Sequence, residues 1–195
     1  MDIAQNAALI VVDVQKGFEE LDYFGPRNNP GADDSIASLI DVWQATSRPV
    51  VFVRNDSDKP DSPLRPGYEG NDFKEYVEQR RGKGTGAAEL LVTKSVNSVF
   101  LGTPDLDAWL KAEGISQLVL VGIQTNGCVE TTARHGGNLG YDVLFAYDAT
   151  YTFDVEGPFG WRRTADEVAQ ASAVSLQGIG FARVVTAKEV VDAAK

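Results

Sequence analysis

Residues 118–134 read LVLVGIQTNGCVETTAR, an apolar run that stops at a glycine and passes into a polar, helix-forming segment. Leu118, Val119, Leu120 and Val121 suit a strand covered on both faces, as in a parallel sheet. Gly122 breaks the run, and the residues from Asn126 to Arg134 read as the opening of a helix with Thr125 or Asn126 as its N-cap. Cys128, the one cysteine of the chain, therefore falls in or near the first helical turn. Free backbone N–H groups and the positive end of the helix dipole favour an anion there, so a thiol leans towards thiolate and the same N–H groups can hold an oxyanion. A lone cysteine also fits as a small buried hydrophobe; its placement at a strand-to-helix turn favours the nucleophile.

Working outward, the same alternation repeats. Ala8 to Val12 is an apolar strand ending at Asp13, with Val14 to Phe18 in a turn. Asp33 to Ser47 carries Ile36, Leu39, Ile40 and Trp43 at helical spacing, with Asp33 or Asp34 as cap. Pro49 to Arg54 is a second strand, and residues 55–70, NDSDKPDSPLRPGYEG, form a long loop of functional character. A short helix is expected from Asn71 to about Gln79, a third strand over Glu89 to Thr93 ending at Lys94, and a helix over Pro104 to Ala112. After the Cys128 segment come a strand over Asp142 to Tyr147 ending at Asp148, a helix over Thr164 to Leu176, a strand over Phe181 to Thr186 and a closing helix over Ala187 to Ala194. Strands alternating with helices predict an α/β protein: a three-layer α/β/α sandwich around a mostly parallel six-stranded sheet, in one domain. The glycines of RGKGTG (residues 81–86) match neither a dinucleotide fingerprint nor a P-loop and precede a strand, so they read as a surface loop.

Composition narrows the partners. A formal charge of −10 argues against nucleic acid and anionic membranes, leaving small molecules. No apolar run approaches the roughly 20 residues that span a bilayer. One cysteine forms no internal disulfide, and MDIAQNAALIVVD lacks a basic start and cleavage pattern, so the expected compartment is the cytoplasm.

In open α/β sheets ligands bind outside the carboxyl ends of the strands. Asp13, Arg54, Lys94, Cys128 and Asp148 all follow predicted strand ends and so share that edge. Spacing alone leaves two possibilities, a catalytic set of carboxylate, ammonium and thiol or an ion pair beside an inert cysteine. VVDVQKGF at the first strand, TKSVNSVF after the third, VGIQTNGCVETTAR, and GYDVLFAYDATYTFD beyond it decide the matter by family: with these motifs in this order the sequence resembles the isochorismatase-like cysteine hydrolases over most of its length. The resemblance implies a triad of Asp13, Lys94 and Cys128. It also implies a cis peptide at Ile123–Gln124, an oxyanion hole from the backbone N–H groups of Gln124 and Cys128, and assembly as a dimer or tetramer. Asp13 would take the thiol proton, Lys94 would balance the carboxylate, and Cys128 would attack a carbonyl to give a thioester that water cleaves.

His135 is the single histidine and lies seven residues past Cys128, about 10 Å along a helix, too far to serve as its base. A packing role is expected of it. Nicotinamidase relatives hold a metal after the second strand; this chain offers Asn55, Asp56, Ser57 and Asp58 there, so neither metal nor cofactor is expected, and Asp56, Asp58 and Asp61 read as a solvated acidic loop. Pocket candidates are Gln15, Phe18, Arg54, Asn55, Phe100, Tyr151 and Phe153, with SPLRPG (residues 62–67) a lid or subunit contact. Cysteine-dependent cleavage of an amide, ureide or carbamoyl C–N bond is the function these residues suit. Vinyl ether hydrolysis, which some relatives perform without a thiol, and a catalytically silent binding domain are the alternatives.

Overall fold

The apolar runs do become the centre of a sheet. The computed structural model describes residues 1–84 and 86–195. In chain order it contains β1 (Ala8–Val12), α1 (Leu21–Phe24), α2 (Ala32–Ala45), β2 (Val50–Asn55), α3 (Glu75–Glu78), β3 (Glu89–Lys94), α4 (Leu106–Ala112) and β4 (Gln117–Ile123). There follow α5 (Glu130–Asn138), β5 (Asp142–Tyr151), β6 (Val155–Glu156), β7 (Arg162–Arg163), α6 (Ala165–Ile179), β8 (Arg183–Val185) and α7 (Ala187–Ala194). Six strands pair in parallel in the order β3-β2-β1-β4-β5-β8, while β6 and β7 make a separate antiparallel hairpin.

Strand side chains alternate between the two faces, and here both faces are covered. Leu9 and Val11 of β1 pack with Ile36, Leu39, Ile40 and Trp43 of α2 and Val190 of α7. Ala8, Ile10 and Val12 pack instead with Leu106 and Leu110 of α4, Ala133 of α5 and Leu176 of α6. That double burial is why β1 and β4 read as unbroken apolar runs. Each large side chain so buried contributes on the order of 1.5–3 kcal/mol. The Trp43 indole N–H, the polar atom such burial would leave orphaned, donates to the Ala7 carbonyl at 2.8 Å.

The chain runs from β1 outward through β2 to β3, then returns to lay β4 on the other side of β1. This reversal opens a crevice at the carboxyl ends of β1 and β4, where Asp13 and the Cys128 turn emerge. Gly122 makes the approach possible: its φ is 120°, and a Cβ there would stand 2.0 Å from the Val12 carbonyl oxygen.

Several local expectations are corrected. The helix after the long loop shrinks to the single turn of α3, preceded by a 3-10 turn at Glu69–Asn71. Asp33 does not cap α2; it lies inside the first turn and receives Arg27, Lys74 and the Tyr76 hydroxyl. β5 runs on to Tyr151 through a register shift opposite Leu120–Gly122, so Asp148 sits within the strand, where its Oδ1 accepts the Ala187 N–H at the start of α7. The RGKGTG loop directs the Gly82 N–H to the Glu89 carboxylate at 3.0 Å; Thr85 lies outside the described residues. No described helix is long and apolar enough to cross a membrane.

Candidate active site

Asp13 leaves β1 with a left-handed φ of 53°, a backbone state that non-glycine residues adopt uncommonly and chiefly at turns and functional sites. Its N–H donates to Val53 and its carbonyl receives Gln15, so the turn is fixed at both ends. Lys94 ends β3, two strands away, and reaches back across β2. Its Nζ stands 2.6 Å from Asp13 Oδ2 and 3.3 Å from Cys128 Sγ, with both side chains of the ion pair fully buried. The other carboxylate oxygen, Asp13 Oδ1, is buried and accepts no hydrogen bond of ordinary geometry from the described residues.

Cys128 lies in a π-helical turn, Thr125–Val129, that leads into α5 and is kinked at Gly127. The Ile123–Gln124 peptide just ahead of it is cis. Neither expected cap residue caps: Thr125 Oγ1 donates to Thr150 Oγ1, and Asn126 Oδ1 accepts from the Thr152 hydroxyl, so both side chains fasten the turn to β5. The Gln124 carbonyl takes the N–H groups of Gly127 and Val129.

The expectation of a ready thiolate is overturned. Burial pushes the Cys128 thiol well above its ordinary range, the Asp13 carboxylate adds to this, and Lys94 opposes it only in part. Desolvation outweighs the helix end, so the resting sulfur keeps its proton. Burial likewise raises Asp13 above the usual carboxylate value against the pull of Lys94. Burial pulls Lys94 down, but Asp13 and Cys128 more than offset it, and the ammonium is retained. A protonated thiol thus stands beside a carboxylate whose affinity for a proton is enhanced, the requirement for base-assisted attack.

The segments carrying Lys94 and Cys128 are stapled together. Thr132, fully buried on α5, donates to the Cys128 carbonyl at 2.7 Å and accepts the Val99 N–H at 3.2 Å. One turn on, His135 Nδ1 is 2.8 Å from Ser98 Oγ, and its ring packs on Phe100 at 5.1 Å. Thr132→Val keeps the shape but takes the acceptor from the buried Val99 N–H and the hydroxyl donor from the Cys128 carbonyl. It is expected to cost about 1–3 kcal/mol in a thermal melt and to lower kcat roughly 10–100-fold as the thiol shifts; Thr132→Ser should recover most of both.

A cavity of about 240 Å³ opens onto Cys128. One wall is aromatic, with Phe18, Tyr23 and Phe24, and Phe153 packs behind Phe24 at 5.0 Å. The facing wall is polar, from Asn55, Ser57, Asp58, Lys59 and Ser62 of the long loop with Leu64 among them; Ser95, Asn97, Gln124 and Gly127 surround the sulfur. Asn97 Oδ1 lies 3.9 Å from Sγ. Of the seven pocket candidates, Phe18 and Asn55 line this cavity and five do not, Phe153 standing behind its aromatic wall. Arg54 alternates with Asn55 along β2 and pairs with Asp56 at 2.7 Å instead. Phe100 packs between His135 and Tyr141. Tyr151, still inside the lengthened β5, is fully buried with the Arg27 guanidinium 4.1 Å above its ring. Gln15 is fully buried and bonded within the protein. Tyr23, Phe24 and Asn97 were missed. Asn97 lies inside the quoted TKSVNSVF motif, and an aromatic pair so soon after the first strand turn was the signal for the other two.

The residues after β2 do not fit a metal. Both Asp56 oxygens are engaged by Arg54, at 2.7 and 3.0 Å, and one also receives Asn71. No group of three or more potential ligands converges among the described residues. Activity is expected to survive exhaustive chelation, checked by rate assays before and after; loss on chelation with recovery on adding zinc would contradict this donor-set argument.

An α/β/α sandwich with a buried thiol, carboxylate and ammonium meeting at the switch point of its sheet is a cysteine-hydrolase architecture. The chain belongs to the isochorismatase family, whose isochorismatase domain matches residues 7–174. It is 34% identical to YrdC, an uncharacterized isochorismatase family protein of Bacillus subtilis, over 96% of this chain and 96% of that one. Nicotinamidase 3 of Arabidopsis thaliana is 32% identical over 77% of this chain and 75% of its own length. Among solved structures, one assigned to the isochorismatase family of hydrolases from Chromobacterium violaceum matches with TM-score 0.90 and 37% identity, covering 100% of this chain and 96% of the other.

Proposed function

We propose that this isochorismatase-family hydrolase cleaves the C–N bond of a small amide, ureide or carbamoyl compound through a thioester on Cys128. The observation that carries the reading is the contact set at the sulfur: Lys94 Nζ touches both Asp13 Oδ2 and Sγ, at 2.6 and 3.3 Å, while Asp13 Oδ1, with no hydrogen bond of ordinary geometry among the described residues, leaves the carboxylate free to act on a thiol that holds its proton.

In this reading Asp13 removes the thiol proton as Sγ bonds to the substrate carbonyl carbon, and backbone N–H groups of Gln124 and Cys128 receive the oxyanion. The protonated Asp13 then gives its proton to the departing nitrogen as the C–N bond breaks. Water attacks the thioester with Asp13 again as base, the acid is released, and the sulfur regains a proton. Lys94 keeps its charge throughout, so the carboxylate never stands alone in a desolvated site. A cavity of about 240 Å³ lies below the usual range for drug-sized ligands, roughly 300–1,000 Å³, which favours a substrate of metabolite size. Vinyl ether hydrolysis would give the buried thiol no task.

The test is a screen of primary amides, ureides and carbamoyl compounds read by ammonia release, with isochorismate as comparator. Turnover of an amide or ureide supports the reading, whereas turnover of isochorismate alone overturns it.

A further inference from the structure

The long loop after β2 supplies the polar wall of the cavity, and two buried side chains outside the cavity hold that wall in place. We propose that Gln15 and Asn71 are positioning residues for substrate binding. They clamp the main chain at Asn55 and Leu64 so that the wall stands at a set distance from Cys128; what the wall binds rests on the amidase reading.

Gln15 spends its whole amide inside the protein. Its Nε2 donates to the carbonyls of Asn55 at 3.0 Å and Asn71 at 2.8 Å, and its Oε1 accepts the Asn55 N–H at 2.8 Å. Both amide N–H donors are used, and the oxygen is turned to the Asn55 main chain and away from the cavity. Asn71, 5% exposed, completes the clamp by donating to the Asn55 carbonyl at 3.0 Å, the Leu64 carbonyl at 2.8 Å and Asp56 Oδ1 at 3.0 Å. Leu64 in turn accepts the Ser57 N–H, and the Asp56 N–H donates to the Lys94 carbonyl, so the wall is tied to β3 as well.

Close backbone stacking supports the same conclusion. A Cβ on Gly70 would stand 2.4 Å from the Pro63 carbonyl oxygen, and one on Gly17 would stand 2.8 Å from the Gly70 oxygen. Two bare backbones therefore let residues 62–70 settle onto the turn that follows Asp13. SPLRPG belongs to a wall built into the molecule, with Ser62 and Leu64 facing the cavity. Base and clamp lie two residues apart in sequence, yet Gln15 has no bond to Asp13, Lys94 or Cys128 side chains. Loss of the clamp should loosen binding and leave the chemistry at sulfur unchanged.

Gln15→Met keeps the side-chain length, removes the three hydrogen bonds of the side-chain amide and leaves the backbone bond to Asp13. With the best amide from the screen, KM should rise at least about tenfold while kcat stays within about threefold. Alkylation of Cys128 by iodoacetamide should remain within about twofold of wild type, since that probe reads the thiol and its base. Hydrogen exchange in peptides covering residues 56–70 should quicken. Reduced kcat and alkylation with unchanged KM would overturn the proposal by moving Gln15 to the catalytic centre, and unchanged KM and exchange would overturn it by removing the clamp. Asn71→Ala must give the same pattern and serves if Gln15→Met does not fold. A wild-type protein that cleaves no amide would end the amidase reading alone, because exchange still reads the clamp: unchanged exchange in both variants overturns it, and faster exchange confined to 56–70 upholds it.

Discussion

Cys128→Ala is expected to lower kcat/KM for the amide substrate by about 10⁴-fold or more while leaving the circular dichroism spectrum and melting temperature close to wild type. The loss is large because no other nucleophile stands where the thiol does: Asp13 and Lys94 are locked in their own ion pair, the side chains around the sulfur are amides and the weakly acidic Ser95 hydroxyl, and Asp58 and Lys59 belong to the loop wall. The stability change is small because Cys128 borders the cavity and Ala removes one atom from a site already open on that side. Cys128→Ser should be nearly as inactive, since a hydroxyl is a far weaker acid than the thiol and Asp13 would have to remove its proton. Steady-state rates and melts on both variants check this, and near-normal turnover by Cys128→Ala would rule out covalent catalysis.

The second large effect concerns the base. Burial raises the proton affinity of Asp13, and Lys94 is the chief influence holding it down. Base-form activity therefore rises with pH through the Asp13 value, which lies above the ordinary carboxylate 3.8. Lys94→Met removes the lowering influence, so the Asp13 value moves further up and the acid limb of the pH–rate profile shifts to alkaline pH. At pH 7 activity should fall about 10²-fold or more, with partial recovery as the pH is raised. Asp13→Asn would remove the proposed base and later acid together, so its residual activity should show no such rise. An unshifted profile with near-normal rate in Lys94→Met would reduce Lys94 to a structural charge.

Much of this was legible in the chain. β1 and β4 carry side chains buried on both faces, so Ala8 to Val12 and Leu118 to Val121 announce themselves as unbroken apolar runs, and the crossover helices follow from the 3.6 spacing of Ile36, Leu39, Ile40 and Trp43. Asp13, Lys94 and Cys128 were legible for another reason: each lies at or just beyond the carboxyl end of a parallel strand, β1, β3 and β4, and topology alone sends them to one edge. The pocket was legible only at Phe18 and Asn55, because the rest depends on parity and register. Arg54 and Asn55 are adjacent letters that point to opposite faces, and a register shift in β5 carries Tyr151 from the expected rim into the core. Gln15 sat in the right turn, yet only the positions of Asn55 and Asn71 show its amide turned away from the cavity. The charge state of the thiol was misjudged from sequence because a helix end acts locally and weakly, whereas desolvation depends on everything packed around the sulfur.

The central claim is that Cys128 carries the acyl group during turnover, and acid-quenched reactions analysed by intact-protein and peptide mass spectrometry test it most directly. With the amide substrate supplied in excess and the quench made within the first turnovers, the peptide containing Cys128 should gain the mass of the acyl group, and hydroxylamine should remove it. Sustained hydrolysis with no adduct on that peptide, together with incorporation of solvent oxygen into product in Cys128→Ala at the wild-type rate, would contradict it.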